Sequence, residues 1–331
     1  MFLVGKLIAH LNSTLILRIA RRADIAGASS KVAMHIVEQS HTNWKWPAFS
    51  KILFPTDFSD SANHAFENAL CLPGVRDVII QHVVSTYFEK HPHWSTLFDI
   101  HETQKYMDMY VEAEMAKVPK QAQQNIHYRS VISEGKPAQQ IVELADKEKV
   151  DVIVMGPAKA VVTGLVIRAA SRPVLAIPQS DSHLKPLQNI SKILVTTDCS
   201  PYSRAVVVYA FQLKRLIDCE LFLLYVIELS NAIKFGIRQG FFTDAVPKMR
   251  TWAKNQLENL TPYEFLKDSS VHRLVEEGPV SDKIAECADA YDVDLVIVGA
   301  HGYGPVEKYF VGTTTNRVLT KLSRPILTVK I

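Results

Sequence analysis

The chain has 331 residues, enough for about two domains of ordinary size. Hydrophobic residues make up 47% and charged residues 21%, the composition of a soluble globular protein. A net charge of +3 is too small to imply a nucleic-acid partner. The four cysteines, Cys71, Cys199, Cys219 and Cys287, form no CxxC pair, and the histidine spacing offers no zinc pattern. Such cysteine usage fits a reducing compartment, hence a cytoplasmic protein. Each cysteine reads as a small core or surface residue, with Cys199, beside Asp198, as a candidate reactive thiol.

Residues 1–49 read as a leader or tail, helical or disordered. Residues 1–23 contain no acid, and Leu3, Leu7, Leu11, Leu15 and Ile19 form a helical stripe. Lys6, Arg18, Arg21 and Arg22 are basic. Asn12, Ser13 and Arg18 interrupt the apolar run and argue against a membrane span. A membrane-surface helix over residues 1–22, a transit-like leader, and a start at Met34 all stay open.

From Lys51 the sequence repeats itself. Lys51–Ser59 (KILFPTDFS) matches Lys192–Ser200 (KILVTTDCS), VDVIVMG ending at Gly156 matches VDLVIVG ending at Gly299, and Arg172-Pro matches Arg324-Pro. The offsets are 141, 143 and 152 residues, the period of a duplicated domain rather than a solenoid repeat. The expected division is 50–180, a linker at 181–191, and 192–331. In the first copy KILFP reads as a buried strand, Ser59 as the cap of helix SANHAFENALCL, and VIIQHVVS as the next strand. A connector carrying His91, His93 and Trp94 follows, then a helix over Met107–Ala116. IHYRSVIS, PAQQIVELADKEK, VDVIVMG and PVLAIP supply strand, helix, strand and strand. The second copy has KILVT, SRAVVVYAFQLKRL, ELFLLYVIE, a helix near Met249–Leu260, SVHRLVEEG, SDKIAECADAY, DLVIVG and PILTVKI. Alternating strands and helices predict two consecutive α/β domains, each a doubly wound parallel sheet. In strand order 3-2-1-4-5, the first and fourth strands are neighbours at the crevice where ligands bind. Asp198 then faces the loop that follows Gly299.

That loop is the most informative stretch. After the buried run DLVIV come Gly299-x2-Gly302-x9-Gly312-Thr313-Thr314 and a helix over RVLTKL. Glycines let backbone approach a ligand closely, and free N–H groups at a helix start attract anions. No G-K-[ST] and no GxGxxG occurs. The two copies differ here. From strand-ending glycine to Arg-Pro is 25 residues in the second copy (324 − 299) and 16 in the first (172 − 156). In the first, Lys159 replaces Gly302, and Gly164 is followed by Leu165 rather than a hydroxyl residue. One nucleotide site per chain is therefore expected, in the second copy. Lys159 and Arg168 remain as possible anion contacts in the first.

On these residues both copies resemble the universal stress protein domain. The resemblance covers Lys51 to Ile331 and makes the chain similar to a tandem universal stress protein. Nucleotide-binding members carry G-x2-G-x9-G-[ST], which Gly299, Gly302, Gly312 and Thr313 match. The resemblance implies ATP or AMP as ligand, with adenine at the backbone near Thr196 and Asp198 and at Val226. It implies ribose near Asp198 and Gly299, phosphates on Gly302, Gly312, Thr313 and Thr314, and Mg or Mn held only through the phosphates. It also implies a stress-response role and homodimers through the last strand, for which pairing of the two copies could substitute. One departure concerns the residue two before the aspartate, commonly proline: Pro55 in the first copy but Thr196 in the second.

The remaining residues have competing roles. Asp198 either contacts ligand or caps the following helix, where Ser200 competes. His301 is a loop histidine that could be a general acid or base. Lys308, Tyr309, Asn316 and Arg317 lie in or just after the loop, and Arg317 could reach a phosphate. No catalytic residues, no carboxylate cluster for a dedicated metal and no pair to position an attacking water are evident. The expected function is nucleotide-dependent regulation or protection rather than enzymatic catalysis. The alternatives are a membrane-associated module, a slow ATPase, or an adenylating enzyme. The last requires glycines at the first strand, where TDFS and TTDCS have none.

Overall fold

The computed structural model describes residues 49–85, 100–117, 126–157, 161–179, 187, 190–228, 242–300 and 313–330. The leader stripe, His91, His93, Trp94, Lys159, His301, Gly302, Lys308, Tyr309 and Gly312 lie outside them.

The first copy runs β1 (Lys51–Thr56), α1 (Asp60–Leu70), β2 (Asp77–Ser85), α2 (Ile100–Ala116), β3 (His127–Gly135), α3 (Pro137–Glu148), β4 (Val152–Met155), α4 (Val161–Ala169) and β5 (Val174–Ala176). The second runs β6 (Lys192–Thr196), α5 (Pro201–Leu216), β7 (Glu220–Ile227), α6 (Phe242–Leu260), a 3₁₀ turn (Tyr263–Phe265), β8 (Val271–Glu277), α7 (Val280–Ala290), β9 (Leu295–Gly299), α8 (Thr313–Lys321) and β10 (Ile326–Val329). Ser59 caps α1 as expected, its Oγ accepting from Ala62 N at 3.3 Å. The helix expected near Met249 starts earlier, at Phe242, and runs through Pro247. As the sixth residue of the helix, Pro247 removes one i→i−4 hydrogen bond, a local cost within a helix of 19 residues.

All ten strands share one sheet, in the order β3-β2-β1-β4-β5-β10-β9-β6-β7-β8. Each half keeps the order 3-2-1-4-5, with every pair inside it parallel. The halves do not form two separate parallel sheets. β5 and β10 pair antiparallel, Leu175 opposite Leu327 and Ala176 opposite Ile326, so the whole is a mixed sheet. Thr328 adds a side-chain bond, donating from Oγ1 to Val174 O at 3.2 Å. Last-strand pairing thus occurs within the chain.

Strand alternation divides the core in two. On one face Phe54, Phe66, Met107, Phe211 and Leu257 pack with α1, α2, α5 and α6. On the other, Leu53, Ile141, Ile167, Leu194, Ile284 and Val318 pack with α3, α4, α7 and α8. Both cores cross the seam, through Leu175 and Leu327 on the first face and Val174 and Ile326 on the second. Phe49 joins the first core although it was assigned to the tail, and Leu187 and Ile190 of the linker join it too.

An aspartate fastens the amino ends of the strands in each half. Asp151 Oδ2 accepts from Ser50 Oγ and Lys51 N, both at 2.8 Å. Asp294 Oδ2 accepts from Ser191 N at 2.8 Å, Ser191 Oγ at 2.9 Å and Lys192 N at 2.9 Å. These bonds tie the entry of one strand to that of its neighbour and leave the opposite, carboxyl edge for the crevice.

Candidate functional site

The crevice forms where β6 and β9 run side by side, Val195 opposite Ile297. Beyond Thr196 the chain turns sharply. Thr197 Oγ1 accepts from Cys199 N at 3.0 Å, and Asp198 Oδ1 accepts from Ser200 N at 2.9 Å. Cys199 takes a left-handed conformation, φ 60°, to make this turn. Ser200, not Asp198, caps α5, its Oγ accepting from Ser203 N at 3.1 Å. The Asp198 carboxylate therefore closes the turn before the helix and stays half-buried at the sheet edge.

Strand alternation decides which residues line one face. Leu194 and Leu224 belong to the second core, so Thr196 and Val226, two residues on, point to that same side. Val226 packs against that core, as does Val298, the residue before Gly299. α8 covers the same face through Val318, Leu319 and Leu322. Its first turn is fastened to the strand end: Thr315 Oγ1 donates to Gly299 O at 2.9 Å. Thr313 and Thr314 open the helix, where N–H groups have no acceptor within it. Thr196, Val226, Val298 and the α8 start thus share one side of the sheet, with Asp198 two residues past Thr196; Gly299 alternates to the other side and meets α8 through its carbonyl. Gly302 and Gly312 fall outside the described residues. Thr315 was not singled out by sequence. The signal available was its counterpart Thr163, the third residue of α4 as Thr315 is of α8, and likewise buried.

The nine-residue difference between the copies lies before this helix. α8 begins fourteen residues after Gly299 (313 − 299), and α4 begins five after Gly156 (161 − 156). Gly164 belongs to no loop; it lies inside α4. Arg168 sits in the last turn of α4, roughly 10 Å along the axis from its first residue at 1.5 Å per residue, and is remote from the crevice. Arg317 is exposed on α8 near Asp282. The Asp282 carboxyl is held below its usual range, first by the hydrogen bond from Lys321 and then by that from Ser281, with the Arg317 charge adding to them.

Cys199 is not a poised thiol. It is 4% exposed, and burial pushes it up to about 11, so at neutral pH it stays protonated. Among the described residues no group of three His, Cys, Asp or Glu is arranged to hold a metal ion. No helix among them is long and apolar enough to cross a membrane.

The model of the universal stress protein family matches twice, at residues 48–178 and 189–330. "Universal stress protein A homolog 2" of Coxiella burnetii is 32% identical over 148 residues, 44% of this chain and 98% of the relative. A universal stress protein of Methanocaldococcus jannaschii is 27% identical over 152 residues, 42% of this chain and 94% of its own length. Among solved structures, a universal stress protein from Archaeoglobus fulgidus aligns with 86% of this chain and 97% of its own, at TM-score 0.57 and 17% identity, which is a likeness of fold. With two matches covering most of its length, the chain belongs to the universal stress protein family.

Proposed function

We propose that the carboxy-terminal copy binds one adenine nucleotide, ATP or AMP, and that the chain uses its occupancy to regulate or protect under stress. Family membership supports the stress-response role. The observation that carries nucleotide binding is the meeting of Thr196, Val226 and the start of α8 on one side of the sheet, with the α8 start tied to the strand end through the Gly299 carbonyl. In this reading adenine lies against Val226 and the strand-end backbone, and the Asp198 carboxylate accepts from the ribose hydroxyls. The Thr313 and Thr314 amides take phosphate oxygens, whose negative charge the helix start favours. Gly302 and Gly312 enter from the sequence pattern alone. A divalent ion, where present, is carried by the phosphates. The chain acts in the cytoplasm as a binding protein and not as an enzyme.

Calorimetric titration of the full chain with ATP tests this. The expected result is one site, abolished by Gly312→Val and unchanged by Lys159→Ala. Absence of binding by the unaltered chain, or equal loss from both variants, overturns it.

A further inference from the structure

α2 carries apolar side chains on two sides. Met107, Val111 and Met115 face the sheet and are buried. Tyr106, Met109 and Ala113 are exposed, spaced by three and four residues, the pattern of a second helical stripe. Met109 is 61% exposed and Tyr106 57% exposed. Tyr106 meets Phe58, which takes φ 62° just past β1, edge to face with ring centroids 5.0 Å apart. Glu102, Asp108 and Glu112 are exposed around this stripe, and α2 as a whole carries four acids against one lysine.

The duplicated helix does not share this character. Buried Ala253, Leu257 and Thr261 repeat the spacing of Met107, Val111 and Met115 at an offset of 146 residues (253 − 107). At that offset Met109 and Ala113 become Asn255 and Asn259, and Glu102 and Asp108 become Lys248 and Lys254. α6 thus turns a polar, basic side to water where α2 turns an apolar, acidic one. Apolar surface left in water gains nothing, so the contrast calls for a cover over α2 that α6 does not need.

The copies also differ in what precedes them. The first follows the leader, whose residues lie outside the described ones. Residues 1–23 of that leader hold four basic residues, no acid, and the apolar stripe from Leu3 to Ile19. The leader joins the described chain at Phe49, which is 2% exposed in the core that α1 and α2 cover, so it arrives on the face where α2 lies. Phe49 follows Ile19 by 30 residues (49 − 19). That contour reaches up to about 100 Å, against a length of roughly 25 Å for α2.

We infer that the leader stripe lies on the outer side of α2, over Met109 and Ala113, with its basic residues beside Glu102, Asp108 and Glu112. The leader then acts as an intramolecular clasp. Apolar burial holds it, and charge decides which of the two duplicated helices it takes, because Lys248 and Lys254 of α6 repel it.

Carbodiimide coupling on the full chain, read by mass spectrometry, tests it. An equal mixture of isotope-labelled and unlabelled chains tells links within a chain from links between chains. The expected product joins Lys6 to Glu102, Asp108 or Glu112 of the same chain. Met109→Glu changes an exposed residue and should keep the fold, which circular dichroism checks; Ala113→Glu repeats the test if it does not. Met109→Glu and Leu11→Glu should each cut the product about tenfold, the cost of placing a charge in an apolar contact, while Met249→Glu on α6 leaves it unchanged. Absence of any Lys6 link to α2, Lys6 links to α6, links formed only between chains, or an α2 link indifferent to both Met109→Glu and Leu11→Glu each overturns the inference. Flotation of the full chain on phosphatidylserine vesicles with loss of the α2 link also overturns it and gives the leader to a membrane instead.

Discussion

Leu327→Ala tests whether the β5–β10 seam makes the two copies one cooperative body. Leu327 is fully buried on the sheet face shared by α1 and α5, directly opposite Leu175 of the other copy. Truncating a buried leucine typically costs about 2–5 kcal/mol, and a seam packed from both sides has little freedom to collapse, so about 3 kcal/mol is expected. Leu175→Ala should cost a similar amount although it lies in the other half. Because the side chains are cross-strand partners, the double variant should lose less than the two separate costs combined, with a coupling of about 1 kcal/mol. Urea unfolding followed by circular dichroism gives the stabilities, and hydrogen exchange resolves the halves. Both variants should lower a single transition and speed exchange in β1, β4, β6 and β9 alike. Two separate transitions, with Leu327→Ala leaving exchange in β1 and β4 unchanged, would refute the shared core.

Thr315→Val should cost about 1 kcal/mol of stability, because Gly299 O loses its donor while volume is kept, and should weaken ATP binding by loosening the α8 start; unchanged ATP affinity in calorimetry would remove Thr315 from the site. Gly278 has φ +140°, and an added Cβ would come within 2.9 Å of Lys283 Cε, so Gly278→Ala should destabilise by about 1–3 kcal/mol in thermal unfolding, whereas a neutral effect would mean the turn relaxes freely. Alkylation at pH 8 with mass-spectrometric readout should label Cys71, the half-exposed cysteine, before the others; Cys199, Cys219 and Cys287, each pushed up to about 11 chiefly by burial, should react only after unfolding. Glu148 is held below the usual carboxylate range, first by the hydrogen bond from Lys51 and then by that from Arg129. Its folded value lies below its unfolded one, so its contribution is present above about pH 4.5 and lost as pH falls through the lower value. Glu148→Gln should therefore flatten the acid limb of the stability profile; an unchanged limb would mean these partly exposed pairs add nothing.

Much of the architecture was legible because it is written locally. The aliphatic runs, the Ser59 cap and the doubled KIL–TD–S segment each report on a few neighbouring residues, and the alternation of strand and helix points to a doubly wound parallel sheet in each half. What periodicity could not give is contact at long range. Nothing in ILTV says that it pairs antiparallel with VLA, and nothing in Phe49 or Leu187 distinguishes a tail or linker residue from a core one. The left-handed Phe58 and Cys199 are residue types that seldom mark such a turn, so the second bond network of the strand end stayed hidden. Gly164, set beside the glycines of the second copy's loop in the sequence, belongs instead to a helix. It sits in α4 because Val162, Val166 and Ile167 pack that helix onto the sheet, and this burial outweighs its poor helix propensity.

The central claim is that the nucleotide belongs to the carboxy-terminal copy. A crystal structure of the full chain grown with ATP answers it most directly. The account predicts phosphate density at the first turn of α8, against Thr313 and Thr314, with none at Val161. A nucleotide whose phosphates lie beside α4 while the crevice between β6 and β9 stays empty would contradict it.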